Sequence, residues 1–77
     1  MRLTLERLKT KVGKIFRNKY KDANVYIWSG QWGSYWRPSR AGYTYNKADA
    51  GIYTLDDAYD ASGHCGPEKH IEYEFIH

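Results

Sequence analysis

The sequence predicts an α+β fold: a small three- to four-stranded, mainly antiparallel sheet with a long N-terminal amphipathic helix and one short helix packed on it, in the order α-β-β-β-α-β. Three observations carry that expectation. Apolar residues recur at spacings of three and four across residues 4–21, the pattern of a one-faced helix. Val, Ile, Tyr and Trp then cluster in short runs separated by Gly, Pro, Ser and Asn, the composition of strands and turns. Residues 69–76 alternate between apolar and polar side chains, the period of a half-buried strand.

The helix over 4–21 places Leu5, Leu8, Val12, Ile15, Phe16 and Tyr20 on one face. Thr4 suits its N-cap, Leu3 and Leu8 are spaced for a hydrophobic staple, and Lys19 and Lys21 suit its negative end. Gly13 costs about 1 kcal/mol relative to Ala in a helix interior, so it marks a close packing contact or a bend. Asp22, Ala23 and Asn24 end the helix. Residues 25–29 form the first strand and 32–37 the second, with Trp32, Ser34 and Trp36 on one face and Gly33, Tyr35 and Arg37 on the other. A turn from Pro38 to Gly42 leads to a third strand over 43–45, completing a meander. Thr54 then caps a short helix over 55–62, with Asp57 as its capping-box partner and Asp56 and Asp57 in the first turn. Its inner face is Leu55, Ala58 and Tyr59. The final strand turns Ile71, Tyr73 and Phe75 inward and His70, Glu72, Glu74 and Ile76 outward.

Seventy-seven residues make one domain, 1–77, divided into a basic helix (1–22) and a β-rich unit (25–77). A chain this short buries only roughly 60% of its unfolded surface, so it needs large side chains. Three Trp, eight Tyr and two Phe supply them. The lone cysteine, Cys65, excludes an internal disulfide framework. No apolar run approaches the roughly 20 residues that span a bilayer, and the N-terminus lacks the apolar core of a secretory signal. Its basic, amphipathic start also fits a transit peptide, a reading discounted because removal would leave too short a remainder. No membrane partner is expected, and the cytoplasm is the default compartment. Charge is unevenly spread: residues 1–22 hold eight basic side chains against Glu6 and Asp22, whereas 23–77 hold four basic and seven acidic. That asymmetry suits a basic arm for an anionic partner, or a helix docked on its own acidic sheet.

Between residues 32 and 69 the chain reads W-G-S-Y-W-R-P, then G-Y-T, then A-G-I-Y-T-L-D-D-A, then C-G-P-E-K. This resembles a loose group of small uncharacterised phage and prophage proteins that share a W-R-P…G-Y-T…A-G-x-Y-T-x-x-x-A pattern. The resemblance covers about half the chain and excludes the basic helix. It implies a phage or mobile-element setting, where short accessory proteins act on host machinery, including defence systems. It transfers no catalytic residue. Its residues also have structural uses: turns at Pro38 and Gly42, a cap at Thr54, packing at Ala58.

Two surfaces carry candidate chemistry. The basic helix, with Lys9, Lys11, Lys14, Arg17, Lys19 and Lys21, suits nucleic-acid phosphates, an anionic membrane or an acidic protein; the plainer reading is a solvated face with its apolar stripe on the sheet. The aromatics Trp28, Trp32, Tyr35, Trp36, Tyr43 and Tyr45, with Arg37 and Arg40, suit base stacking or a protein-binding hot spot; the plainer reading is core and cross-strand packing. The G-x-x-G at Gly30–Gly33 resembles the backbone clamp of KH domains but lies between strands and is not basic. His64, Cys65, His70 and His77 lack the paired spacing of a structural zinc site, so no metal or cofactor is expected. The acidic set Asp49, Asp56, Asp57, Asp60, Glu68, Glu72 and Glu74 is better read as caps and soluble surface than as acid–base machinery, although Glu72 and Glu74 can also attract a basic partner.

The reading is a non-enzymatic phage-type accessory protein that binds and inhibits a host protein complex such as a defence nuclease, in the manner of an anti-CRISPR. Its contact residues are Trp32, Tyr35, Trp36, Arg37 and Arg40. The alternative is a small nucleic-acid-binding module using the six basic helix residues. Homo-oligomerisation through the apolar stripe is compatible with either.

Overall fold

The structure is a computed structural model that describes residues 1–76. The chain opens with a strand, not a helix. β1 (Arg2–Thr4) pairs antiparallel with the last strand, and Thr4 then caps a single helical turn, α1 (Leu5–Leu8), by accepting the Arg7 N–H at 3.2 Å. Thr10 starts a second helix, α2 (Lys11–Lys19), by accepting the Gly13 N–H at 3.0 Å. The long N-terminal helix expected over 4–21 is therefore two short ones, broken at Lys9 and Thr10. Thr10 is extended (φ −73°, ψ 166°), and its hydroxyl also donates to the Arg7 carbonyl at 2.7 Å. One side chain thus satisfies backbone groups on both sides of the break.

Gly13 sets how α2 meets α1. A Cβ there would lie 1.9 Å from the Arg7 carbonyl oxygen and 2.6 Å from the Leu8 Cα. The break also divides the apolar stripe. Leu5 and Leu8 are buried in the core, and Phe16 packs half-buried against it. Val12 and Ile15 are 76% and 66% exposed. The helical phase restarts at Thr10, so Gly13, Phe16 and Arg17 turn inward and Val12 and Ile15 turn out.

Among the described residues, six antiparallel strands replace the expected three or four. They are β1, β2 (Asn24–Ser29), β3 (Ser34–Trp36), β4 (Tyr43–Thr44), β5 (Tyr53–Thr54) and β6 (Ile71–Phe75), in the order β1-β6-β2-β3-β4, with β5 pairing the start of β2. With α3 (Leu55–Ser62), the element order is β-α-α-β-β-β-β-α-β, not α-β-β-β-α-β. β1 and β5 are too short to show an alternation, and each ends at a threonine that caps the next helix. α3 begins as expected, with Thr54 accepting the Asp57 N–H at 3.1 Å.

All three helices contribute to the face that carries Val25, Ile27, Ile71 and Tyr73, where Leu5, Leu8, Leu55, Ala58 and Ala61 complete the core. The Ser62 hydroxyl donates to the Ala58 carbonyl, so the Tyr73 hydroxyl donates to Ser62 Oγ at 2.6 Å. Burial pushes the Tyr73 phenol well above its ordinary pKa, and the Ser62 hydrogen bond only partly offsets this. The opposite face carries Arg2, Tyr26, Trp28, Tyr35, Glu72 and Glu74, placed by the strand register. A charged layer covers it: Glu74 accepts from Arg2 at 2.8 Å and from the Tyr35 hydroxyl at 3.3 Å, and it pairs with Lys47. The Arg2 guanidinium sits 4.9 Å over the Trp28 ring. Glu74 is thereby engaged within the chain and is not a free acidic lure. Burial acts to raise its carboxyl pKa, but the hydrogen bonds from Lys47 and Arg2 prevail and leave it below the ordinary value.

Candidate functional site

The β3–β4 hairpin places Trp36 opposite Tyr43 on the helix-bearing face. Their rings meet edge to face at 6.3 Å, and Trp32, from the turn before β3, also lies 6.3 Å from the Tyr43 ring. Trp32 and Tyr43 are open to solvent, 56% and 46% exposed. Trp36 is half-buried against the core, and its indole Nε1 is buried without a hydrogen-bond partner.

Between the strands, Pro38–Arg40 forms a 3₁₀ turn in which Ser39 (φ 56°) and Arg40 (φ 59°) are both left-handed. For residues with a Cβ that conformation costs of order 1–3 kcal/mol each, so the surroundings must enforce it. Tyr53 does much of this. Its hydroxyl donates to the Arg37 carbonyl at 2.5 Å and accepts the Arg40 N–H at 3.1 Å. Gly51 lets the incoming chain reach the turn: a Cβ there would lie 2.8 Å from Pro38, and the Gly51 N–H donates to the Trp36 carbonyl at 2.9 Å. Arg37 closes the hairpin, donating its N–H to the Gly42 carbonyl at 2.8 Å and its Nε to the Tyr43 carbonyl at 3.1 Å.

The strained turn holds Arg40 between two shallow pockets. One, about 220 Å³, is lined by Trp36, Arg40, Gly42, Tyr43, Ala61 and His64. The other, about 240 Å³, is lined by Ser39, Arg40, Tyr53, Asp57, Asp60 and Ala61. The surface therefore offers flat rings, a guanidinium and, beyond it, two carboxylates.

Four of the five expected contact residues, Trp32, Trp36, Arg37 and Arg40, gather at this hairpin. Tyr35 does not. Its side chain is buried on the opposite face with Trp28 and Glu74, as strand alternation requires. Tyr43, one of the candidate aromatics but not one of the five contact residues, joins the site, and so do Tyr53 and His64, which the sequence did not point to as contacts. Tyr43 follows from pairing across the turn. Tyr53, on β5, and His64, in the loop after α3, are distant in sequence and leave no local signal.

The six basic helix residues are not brought to one open face. The Arg17 guanidinium stacks 3.8 Å from the Tyr59 ring, and Lys9 Nζ donates to the Cys65 carbonyl at 3.3 Å. Lys11, Lys14, Lys19 and Lys21 are exposed. Among the described residues no cluster of three or more His, Cys, Asp or Glu is placed to hold a metal; His77 lies outside them. No helix of the described residues is long and apolar enough to cross a membrane. No family model, no curated protein and no solved structure matches the chain.

Proposed function

We propose that the chain is a non-enzymatic, phage-type accessory protein that binds a host protein complex, such as a defence nuclease, in the host cytoplasm and inhibits it. The observation that supports this is the pair of exposed rings, Trp32 and Tyr43, packed with half-buried Trp36 beside a backbone-strained Arg40. Trp, Tyr and Arg are the residues in which interface energy concentrates. Strain in a surface turn lowers the stability of the free chain, and it is retained where a side chain must be aimed at something. The rings give apolar area at little entropic cost. Arg40 and Arg37 can meet carboxylates on a partner, and Asp57 and Asp60 can meet its basic groups. The phage resemblance of residues 32–69 lies over this same surface.

Affinity capture from host lysate with tagged full-length protein tests the proposal. A specific host complex should co-purify with the wild type and be lost with Trp32→Ala and Tyr43→Ala. Recovery of no specific partner, or equal recovery by both variants, would overturn it.

A further inference from the structure

We infer that α2 carries a second docking surface, separate from the arginine–aromatic one, that takes an acidic amphipathic segment of a partner protein. Three features of one helix face point there.

The first is apolar. Val12 and Ile15, three residues apart, stand side by side on the outer face of α2 and are largely exposed. Val12 also lines a groove of about 120 Å³ between α1 and α2, together with Leu3, Arg7, Leu8, Thr10, Gly13 and Phe16. The groove exists because Thr10 breaks the helix and Gly13 lets α2 fold back onto α1.

The second is charge. Lys11 and Lys14 occupy the first turn of α2, where no acidic residue stands. A helix N-terminus carries partial positive charge, so each lysine there works against the helix. Lys19 extends the ring of charge around Val12 and Ile15, and Arg7 continues it across the groove. An apolar centre with a cationic rim is unfavourable on both counts in the free chain. Both costs fall when carboxylates surround an apolar side chain seated in the groove.

The third is what the face rejects. A symmetric contact with a second copy would set the lysines of this face against the lysines of the same face on the other copy. A phosphate backbone makes no use of Val12 and Ile15. A bilayer makes no use of a concave groove, and two aliphatic side chains on a nine-residue helix are a weak anchor. Helix-in-groove recognition of an acidic segment uses every feature present.

The test is selection of a random peptide display library on immobilised full-length protein, followed by NMR titration of the enriched peptides. The expected peptides carry net negative charge around Leu, Ile or Phe. They should shift the amides of Val12, Ile15 and Phe16, and bind more weakly as salt rises. The Val12→Ser/Ile15→Ser double variant should keep the wild-type melting temperature and lose at least about tenfold in affinity. Failure to enrich any peptide, enrichment of neutral or basic ones, or shifts mapping to Trp32 and Tyr43 would overturn the inference. So would loss of binding to phosphatidylglycerol vesicles or duplex DNA in the double variant when peptide binding is unaffected. Shifts at Trp32 and Tyr43 would move the peptide to the arginine–aromatic surface; the other outcomes leave Trp32, Tyr43 and Arg40 untouched, so failure of this inference is distinguishable from failure of the proposed function.

Discussion

Replacing Gly13 with alanine adds one carbon to α2, and the two descriptions of the N-terminus predict opposite signs for its effect. In a continuous helix over 4–21, alanine gains about 1 kcal/mol through helix propensity. In the broken arrangement the added Cβ lies 1.9 Å from the Arg7 carbonyl oxygen, 2.6 Å from the Leu8 Cα and 2.7 Å from the Leu8 carbonyl carbon. All three atoms are backbone, and none can rotate away. Reaching an ordinary contact of 3.4 Å requires α2 to retreat by about 1.5 Å. Overpacking of a fitted contact costs typically 1–3 kcal/mol, and immovable backbone puts this case at the upper end. The retreat also disturbs the Thr10 cap on the Gly13 N–H, worth about 1 kcal/mol. Against the propensity gain, the net loss is about 2–3 kcal/mol. For a domain of this size that lowers the melting temperature by roughly 10–20 °C. Thermal and urea denaturation followed by circular dichroism read it, with Asn18→Ala at an exposed α2 position as the reference. A Gly13→Ala protein as stable as the wild type would refute the break between α1 and α2, and the groove with it.

The divided stripe predicts unequal costs at equivalent-looking positions. Leu8→Ala should lose about 2–5 kcal/mol in urea titration, whereas Val12→Ser should stay within about 0.5 kcal/mol. Arg40→Gly relieves a left-handed residue, so its melting temperature should hold or rise by the equivalent of up to about 1 kcal/mol while partner capture is lost. The lowered Glu74 carboxyl contributes stability that is present above the ordinary carboxylate pKa of 4.5 and is lost as pH falls through and below it. Melting temperatures across the acid range should therefore fall less steeply for Glu74→Gln than for the wild type.

What could be read from the sequence was local. α3 was legible because its cap, Thr54, and the residues that need it, Asp57, Leu55 and Ala58, lie within one turn. β6 was legible because Ile71, Glu72, Tyr73 and Glu74 spell out the strand period. The N-terminus misled because Leu8 and Val12 stand four apart, as in one helix. The break depends instead on a Thr10 hydroxyl reaching back to Arg7 and on Gly13 touching the end of α1. At the site, residue type and turn placement pointed to Trp32, Trp36, Arg37 and Arg40. Alternation already set Tyr35 on the other face, and grouping it with its neighbours by composition put it in the wrong place. Tyr53 was not legible because its role is a hydroxyl bridging Arg37 and Arg40 across a sequence gap.

The arginine–aromatic surface is tested most directly by inhibition of the captured host complex, titrated with the wild type and with Trp32→Ala/Tyr43→Ala at matched melting temperatures. Hot-spot residues contribute about 2 kcal/mol or more each. The account predicts inhibition by the wild type and at least about hundredfold weaker inhibition by the double variant. Equal inhibition by the two proteins, or none by the wild type, would contradict it.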